Sequence, residues 1–418
     1  MFFESSAQQY WLTVPSPTTK LLWRCQFIDT VFGWACGDSG VVIHTSDGGV
    51  NWTVQNTGII FPAIEDICFT SRFNGWALAN DFLFSGTIML RTTNGGLTWT
   101  NYRFPDTTLV FNTIYFLDSL RGFLTGYSGK IFKTTNGGNN WYECNVDTAY
   151  CSFLYLFPKW RFGFLNSMTG YIAGGQIDIQ GMIWQTTDGG NNWFTYCVTP
   201  EPLYAVKPIN SLKVISTGGD FEYGVITAQS YNAGFPWIYD TTTCFGVGRD
   251  LAFRTPSELW IPSSFSMKWA VNLDSGSADS EWFCIDTPDS ISVYAAQFVT
   301  PTFGFGFGAN GKILKYNPAV ISVSEKYGKV PSSNILYQNY PNPFNSRTVI
   351  RYRITGRKEV SIRVFDVTGR EIMYLYEGIR EAGEHLVELN LTELASGLYF
   401  YQLSTGDFYQ FRKMVLLK

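Results

Sequence analysis

Short apolar runs closed by polar or glycine-containing turns repeat along most of the chain before residue 317. In each unit an apolar run and a polar turn precede a glycine and an aromatic residue, and a further short run follows. The segment 33–45 matches the segment 122–134 position for position. Runs of this length between turn residues are typical of β-strands. The pattern predicts an all-β fold made of repeated units.

The apolar runs that open the units predict first strands near residues 25–29, 66–70, 113–117, 162–166, 203–209, 250–254 and 294–300. These starts predict a ring of seven units, with six or eight as alternatives, because the unit around 250–286 is degenerate. The last unit ends at Tyr316 without a fourth strand, and residues 11–14 resemble the strand at 52–55. We therefore expect the N-terminal strand to complete the last unit and close the ring.

A second pattern marks the end of each unit: Ser/Thr, Asp or Asn, two glycines, two residues and Trp. It occurs at 45–52, 92–99, 134–141 and 186–193, and a copy at 230–237 lacks one glycine. The carboxylate or amide can accept hydrogen bonds from its own turn, and glycine permits a positive φ there. We predict a structural role for Asp47, Gly49, Trp52, Asn94, Gly96, Trp99, Asn136, Gly138, Trp141, Asp188, Gly190, Trp193, Asn232, Gly234 and Trp237.

The motif and its spacing resemble the Asp-box, or BNR, repeat over about residues 20–317. This resemblance implies a β-propeller over residues 1–317, with each box between the third and fourth strands of a blade and away from the ligand face. The arrangement is most similar to the propellers related to photosystem II assembly factors. It resembles sialidases, sortilin-type receptors and xyloglucan hydrolases more distantly.

A different alternation begins after residues 318–334, which we interpret as a linker. Apolar and polar residues alternate at 348–352, 360–364 and 386–389, as in the half-buried strands of a small β-sandwich. The phrases NYPNPFN, FDVTGREI, AGEH, ASGLYFYQL and RKMVLLK follow in order between residues 339 and 418. Residues 335–418 are therefore predicted to form a second, immunoglobulin-like β-sandwich domain.

These phrases resemble the type A C-terminal sorting domain of type IX secretion substrates. The resemblance implies recognition by the type IX secretion machinery. It also implies a secreted location, or one at the outer-membrane surface of a Gram-negative bacterium. The motif residues are Asn339, Pro341, Pro343, Gly369, Arg370, Glu371, Gly397 and Lys413.

Charge and composition exclude several classes of function. A net charge of −4 gives no reason to expect a nucleic-acid partner. No apolar run reaches the length of a membrane span, and MFFESSAQQYW is not expected to be a signal peptide. The eight cysteines include no CxxC pair and the chain has two histidines, so no metal or cofactor is expected. Cys144 and Cys151 could bridge a loop; buried free thiols are the alternative.

No catalytic residue is predicted. The GxSxG, HExxH and P-loop signatures are absent, and no carboxylate pair can be placed from the sequence. The sialidase-type Arg-Ile-Pro phrase has one near match, at 253–256, after the fifth box instead of before the first. We expect a non-enzymatic propeller that binds a protein or glycan partner at the cell surface as part of an extracellular assembly.

A sialidase-like glycoside hydrolase and an assembly factor for another complex are the alternative functions. The longer segments 79–87 and 174–181 are candidates for a partner site, because other units use fewer residues at this point. Aromatic residues outside the boxes could also contact a partner, although most are expected in the blade core. These residues include Trp160, Trp184, Trp260 and Trp269.

Overall fold

The computed structural model describes residues 10–80, 86–147, 156–274, 281–320, 334–381, 383–406 and 408–418. The chain divides into two compact units, Met1–Val320 and Ile321–Lys418. Most of the predicted linker, residues 321–333, lies outside the described residues. Within the described ranges, helix is limited to short 3-10 turns such as Pro288–Ser290 and Ala309–Gly311. No helix in this part of the chain has both the length and the hydropathy needed to cross a bilayer.

The first unit is a propeller of seven sheets, which we number as blades in chain order. Blade 1 contains Leu22–Phe27, Gly33–Gly37, Val42–Thr45 and Thr53–Val54. Blade 2 contains Ile64–Phe69, Gly75–Asn80, Thr87–Thr92 and Thr100–Arg103. Blade 3 contains Phe111–Phe116, Gly122–Gly126, Phe132–Thr134 and Tyr142–Glu143.

Blades 4 to 7 continue the same antiparallel order, with local variations. Blade 4 contains Lys159–Phe164, Gly170–Gln176, Gln180–Thr186 and Asn192–Thr199, and Asn145–Asp147 pairs in parallel with its last strand. Blade 5 contains Leu203–Pro208, Val214–Asp220, Gly224–Ser230 and Ile238–Thr241. Blade 6 has a broken first strand, Val247–Gly248 and Ala252–Phe253, followed by Leu259–Ser264, Lys268–Asn272 and Trp282–Asp286. Blade 7 contains Val293–Thr300, Phe303–Gly308, Ile313–Tyr316 and the N-terminal strand Trp11–Val14.

The N-terminal strand closes the ring. Trp11–Val14 pairs antiparallel with Ile313–Tyr316 and supplies the outermost strand of blade 7. Trp11 is 1% exposed and stacks on Trp269 of blade 6, with ring centroids 4.6 Å apart. The predicted seven-bladed ring and its closure by the N-terminal strand are confirmed, and the degenerate unit forms blade 6.

Most first strands begin up to three residues earlier than the sequence pattern predicts. A β-bulge near the start of the strand interrupts the regular alternation, because the extra residue has no paired partner. The bulges lie at Trp23, Glu65, Asn112, Trp160, Tyr204 and Tyr294. Trp23, Glu65, Asn112 and Trp160 were therefore missing from the predicted strands, whereas Tyr204 and Tyr294 were included.

Neighbouring blades are joined by stacked aromatic rings. Trp34 of blade 1 stacks on Phe69 of blade 2 at 3.8 Å, and Trp76 of blade 2 stacks on Phe116 of blade 3 at 3.7 Å. The indole N–H of Trp34 also donates to the carbonyl of Gly95 in the next box, at 3.1 Å. The Gly-aromatic phrases of blades 1 and 2 therefore supply contacts between blades.

The second unit is an immunoglobulin-like sandwich. One sheet contains Ile335–Leu336, Arg347–Ile354 and Gly383–Asn390. The other contains Glu371–Arg380, Lys358–Phe365, Gly397–Ser404 and Tyr409–Leu416, in that spatial order. Val360, Ile362 and Val364 are fully buried, as the predicted alternation requires. The strands are longer than predicted, because alternation weakens at their ends.

The cysteines differ from one expectation. Cys244 and Cys284 form a disulfide, and Cys197 is also disulfide-bonded. Cys144 is a free buried thiol, so the Cys144–Cys151 bridge is wrong; Cys151 lies outside the described residues. Cys144 instead packs in an apolar cluster between blades 3 and 4. The alternative of buried thiols holds for Cys144, and also for Cys25, Cys36 and Cys68.

Candidate binding site at the channel entrance

The two ends of the propeller ring are built from different loops. Because each blade is antiparallel, the connections between blades share one end with the connections between second and third strands. We call this end the entrance face. The opposite end, which we call the box face, carries the connections between first and second strands and those between third and fourth strands. All five box motifs lie between third and fourth strands, on the box face.

The first box uses its carboxylate within its own turn. Asp47 Oδ1 accepts the Thr45 hydroxyl at 2.9 Å and the backbone N–H groups of Val50 and Asn51 at 3.0 and 2.9 Å. The backbone N–H of Gly49 donates to Thr45 Oγ1 at 2.8 Å. The hydrogen bond from the Asn51 backbone contributes most to lowering the pKa of Asp47 to about 2. This carboxylate is therefore fully engaged by neighbouring groups.

The next boxes repeat this geometry, and the fifth departs from it. The side-chain oxygen of Asn94, Asn136 or Asp188 accepts the backbone N–H four residues later at 2.9 to 3.0 Å. In the fifth box, the side chain of Asn232 makes no hydrogen bond within the described residues. Ala233 replaces the first glycine there and keeps a positive φ of 57°. The fifth turn therefore keeps its shape and two hydrogen bonds to Ser230 Oγ, without the bonds of the Asn232 side chain.

The second glycine of a box packs closely against the preceding blade. A Cβ on Gly49 would lie 2.3 Å from the Phe305 ring, and one on Gly190 would lie 2.2 Å from the Phe123 ring. The equivalent glycines Gly96, Gly138 and Gly234 also have positive φ. The box tryptophans are buried or partly buried: Trp52, Trp99, Trp141, Trp193 and Trp237.

The first sorting-domain phrase folds into the sandwich core. Asn339 is buried, and its backbone N–H donates to the Tyr401 hydroxyl at 2.6 Å. Its side-chain amide donates to Thr348 Oγ1 at 2.9 Å and to the Pro341 carbonyl at 3.1 Å. Pro343 directly precedes the buried Phe344. This phrase therefore contacts both sheets of the sandwich.

The other sorting-domain residues lie in a turn and on strands. Gly369 has a φ of 82° in the turn before Glu371–Arg380, where Asp366 accepts the backbone N–H of Arg370 at 3.1 Å. At the surface, the Oε2 atom of Glu371 lies 3.6 Å from the Nη1 atom of Arg363. Gly397 and Lys413 lie on the last two paired strands.

The first strands of all seven blades line a central cavity of about 370 Å³. Four charged side chains lie among the lining residues: Asp66, Arg161, Lys207 and Asp250. Arg24 lies beside Asp66, with 3.9 Å between its Nε and Asp66 Oδ1. The channel is therefore polar at its centre.

Both channel carboxylates hold neighbouring blades together. Asp66 Oδ2, in blade 2, accepts the Thr113 hydroxyl at 2.8 Å and the Ile114 N–H at 3.1 Å, both in blade 3. Asp250 Oδ2, in blade 6, accepts the Ala296 N–H of blade 7 at 3.2 Å. Each carboxylate also accepts the N–H of the residue that follows it. Their oxygens are therefore largely used by the backbone.

The bulge residues surround the channel at the entrance face, and we call them the entrance ring. The ring centroids of Trp160 and Tyr204 are 5.6 Å apart. Tyr127, in the loop after the second strand of blade 3, lies 5.2 Å from the Trp160 ring, also between centroids. The Arg249 guanidinium lies 4.3 Å from the centre of the Tyr204 ring, within cation–π distance. Burial raises the pKa of Glu65, another ring member, to about 7. Large aromatic and charged groups therefore border the channel.

Three exposed phenylalanines extend this aromatic border over blades 5 and 6. Phe221, Phe245 and Phe265 are 56%, 55% and 45% exposed. The Phe221 ring lies 6.3 Å from Phe245 and 5.0 Å from Phe265, and Phe265 contacts Tyr294 of the entrance ring at 5.9 Å. We call these three residues the entrance triad.

The sequence did not single out these residues, with the exception of Trp160. Trp184, Trp260 and Trp269 are fully buried in the blades, whereas Trp160 lies on the entrance ring. The segment 174–181 ends a long hairpin of blade 4 on the entrance face, and residues 81–85 lie outside the described residues. Arg254, the arginine of the near match to the sialidase phrase, forms an ion pair with Glu258 in the turn after the first strand of blade 6. Its Nη2 lies 2.5 Å from Glu258 Oε2. Aligning the units on their first strands could have revealed the bulge positions.

Family profiles match both parts of the chain. Residues 338–417 match the family described as a secretion system C-terminal sorting domain. Residues 3–107 match the family described as photosynthesis system II assembly factor YCF48. The second match covers the closing strand and blades 1 and 2.

Curated relatives align with most of the chain. The photosystem II assembly lipoprotein Ycf48 of a Nostoc species is 23% identical over 330 residues, which cover 75% of this chain and 88% of the relative. The chloroplastic photosystem II stability/assembly factor HCF136 of Guillardia theta is 25% identical, and the alignment covers 73% and 82% of the two chains.

Solved structures show the same propeller fold. The structure of YCF48 bound to D1 peptide has a TM-score of 0.59 at 21% identity, over 75% of this chain and 98% of that chain. A xyloglucanase of family GH74 from Xanthomonas campestris has a TM-score of 0.58 at 10% identity. The alignment covers 83% of this chain and 59% of the xyloglucanase chain. The chain thus joins a YCF48-like Asp-box propeller to a type IX secretion sorting domain, which directs it to the cell surface or the medium.

Proposed function

We propose that this exported propeller is non-enzymatic and binds an extended segment of a protein partner across its entrance face, as part of an extracellular assembly. The entrance triad carries this proposal. Its three phenylalanines lie side by side, about half exposed, beside a ring of further aromatic residues. Clustered exposed aromatic side chains mark interaction surfaces more often than isolated ones do.

A protein partner suits the triad better than a glycan does. Phenylalanine offers an apolar ring without a hydrogen-bonding group, and the described neighbours of the triad are largely aromatic. A sugar site normally combines a stacking ring with several polar partners for the hydroxyl groups. The relatives Ycf48 and HCF136 are assembly factors, and one solved relative is a complex with a peptide. We extend protein binding, but no particular partner, from them to this chain.

The hydrogen bonds of the two channel carboxylates do not favour catalysis in the channel. Glycoside hydrolysis requires one carboxylic acid that donates a proton and a second carboxylate that attacks or activates water. Asp66 and Asp250 instead accept backbone N–H groups from adjacent blades. A turnover assay on sialosides and β-glucans tests the hydrolase alternative. Turnover that Asp66→Asn abolishes in a folded protein would contradict our proposal.

Site-specific photocrosslinking tests the binding face. A benzophenone amino acid replaces Phe245 in the full chain, expressed in the source bacterium. We expect a discrete crosslinked protein adduct, identified by mass spectrometry. The double change Phe221→Ala with Phe265→Ala should reduce the adduct at least tenfold, because it removes most of the apolar contact around the probe.

The matched control places the same probe at Leu97 on the box face, which is 80% exposed. We expect no discrete adduct there. Equal adducts at both positions, or none at Phe245, would contradict binding at the entrance face. Export is verified separately, by detecting each variant at the cell surface or in the medium.

A further inference from the structure

Lys207 occupies a channel position at which other blades join their neighbours. At this position Gln297 of blade 7 bonds the N–H and carbonyl of Phe27 at 2.8 and 2.9 Å. Gln26 of blade 1 bonds the same two groups of Phe69 in blade 2, at 2.6 and 2.9 Å. Lys207 makes no such bond; among the described residues its ammonium group has neither a hydrogen bond nor an ion pair. Blade 5 therefore places a solvent-accessible ammonium group in the channel, 5.4 Å from the centre of the Phe253 ring.

Arg161, a second cation in the channel, also lacks part of its hydrogen bonding. Arg161 Nη2 lies 3.4 Å from Asp250 Oδ2, but its Nη1 is buried without a hydrogen-bond partner. Asp250 cannot fully satisfy both cations, because its oxygens also accept two backbone N–H groups. A buried N–H without an acceptor is costly, and most such groups are satisfied by protein, water or a ligand.

The charges that line the cavity are equal in number but not equally satisfied. Arg161 and Lys207 are opposed by Asp66 and Asp250, but both carboxylates already accept backbone N–H groups from adjacent blades. An anion placed beside Lys207 and Arg161 would give Arg161 Nη1 an acceptor and would give both cations a counter-charge.

We propose that the channel binds a compact carboxylate between Arg161 and Lys207. A guanidinium edge and an ammonium group together suit the two oxygens of a carboxylate. The cavity of about 370 Å³ has room for the carboxylate and a short attached chain. The carboxylate comes from an acidic residue of a bound protein segment or from a free small acid.

This site does not depend on the entrance triad, so the two proposals can fail separately. The ligand test uses the full chain and sodium acetate, with sodium chloride at equal ionic strength as reference. About 100 mM acetate should raise the thermal midpoint by about 2 °C, as expected for a weak ligand that binds only the folded state. Lys207→Met keeps most of the side-chain volume and should abolish this shift.

Lys20→Met is the matched control, because Lys20 is exposed and does not line the cavity. It should keep the full acetate shift. Lys207→Arg restores a cation and should recover at least half of it. The midpoints in chloride show whether each variant is folded. No acetate shift in the unaltered chain, or an equal shift in Lys207→Met, would overturn the proposal.

A peptide comparison separates the two sources. A capped pentapeptide with a central Glu is titrated beside the same peptide with Gln. If a protein segment supplies the carboxylate, the Glu peptide should bind at least tenfold more tightly than both acetate and the Gln peptide. If a free acid is the ligand, acetate should bind at least as tightly as the Glu peptide. Both results require Lys207; binding of either probe that survives Lys207→Met contradicts the site.

Discussion

The two faces of the propeller use their side chains in opposite ways. On the box face, Thr45 and Asp47 bond within a single turn, and three further boxes repeat that arrangement. On the entrance face, Glu65, Trp160 and Tyr204 occupy ring positions at which no two neighbouring blades have the same residue. Repetition on the box face supplies the same local hydrogen bonds to blades 1 to 4. Variation on the entrance face gives a surface whose chemistry differs around the ring, as recognition requires.

The largest effect is expected from opening the ring, on which both faces depend. Trp11→Ala should lower the free energy of unfolding by about 3 to 5 kcal/mol, because a buried indole is removed from between blades 6 and 7. Urea denaturation measures this change. Leu12→Ala on the same strand is the control, since Leu12 is 44% exposed and should cost less than about 1 kcal/mol. Equal losses would argue against closure by this strand.

The disulfide connects stability to the entrance face. Cys244 immediately precedes Phe245, and its bond to Cys284 closes a loop with a sequence separation of 40. Replacing both cysteines by alanine should cost about 2 to 4 kcal/mol and weaken crosslinking at position 245. Thr243→Ala, an exposed neighbour, should change neither quantity. A loss of stability without any change in crosslinking would show that the triad is ordered without the disulfide.

Glu65 should make the entrance ring sensitive to pH. Burial raises its pKa in the folded protein to about 7 from 4.5, so the folded state holds a proton that the unfolded state has released. Stability from this group is therefore present below about pH 4.5 and is lost as the pH rises to about 7. Glu65→Gln should raise the stability at pH 8 by about 1 to 2 kcal/mol and have little effect at pH 4.

Thermal melts of both proteins across this pH range measure the difference. Glu143→Gln is the control, because Glu143 is exposed on the last strand of blade 3. An equal gain at pH 4 and pH 8 would show that the effect of Glu65→Gln does not come from its ionisation.

The smallest effect is expected on the box face. Asp188→Ala removes the acceptor for the Asn191 and Asn192 backbone N–H groups and should cost about 1 kcal/mol. Crosslinking at Phe245 should remain unchanged. Asn232→Ala is the matched control, because that side chain makes no hydrogen bond within the described residues. Reduced crosslinking in the Asp188 variant would mean that the two faces are coupled.

Local signals determined what could be predicted of the fold. A glycine, an aromatic residue or a box recurs at a fixed distance, so the number of blades followed from counting units. The resemblance of residues 11–14 to residues 52–55 was enough to predict the closing strand. Cys144 shows the limit of this approach, because proximity in sequence to Cys151 did not reveal that its thiol packs between blades 3 and 4.

The repeat, the closing strand and the sorting domain could be predicted from the chain alone, because each carries a sequence pattern that can be recognised without knowledge of its contacts. The tertiary structure decided which side chains meet across the ring. Lys207, Arg161 and Asp250 come from three different blades, and Phe221, Phe245 and Phe265 come from loops of blades 5 and 6. Their proximity depends on how different blades pack around the channel, and no single segment of the chain records those contacts.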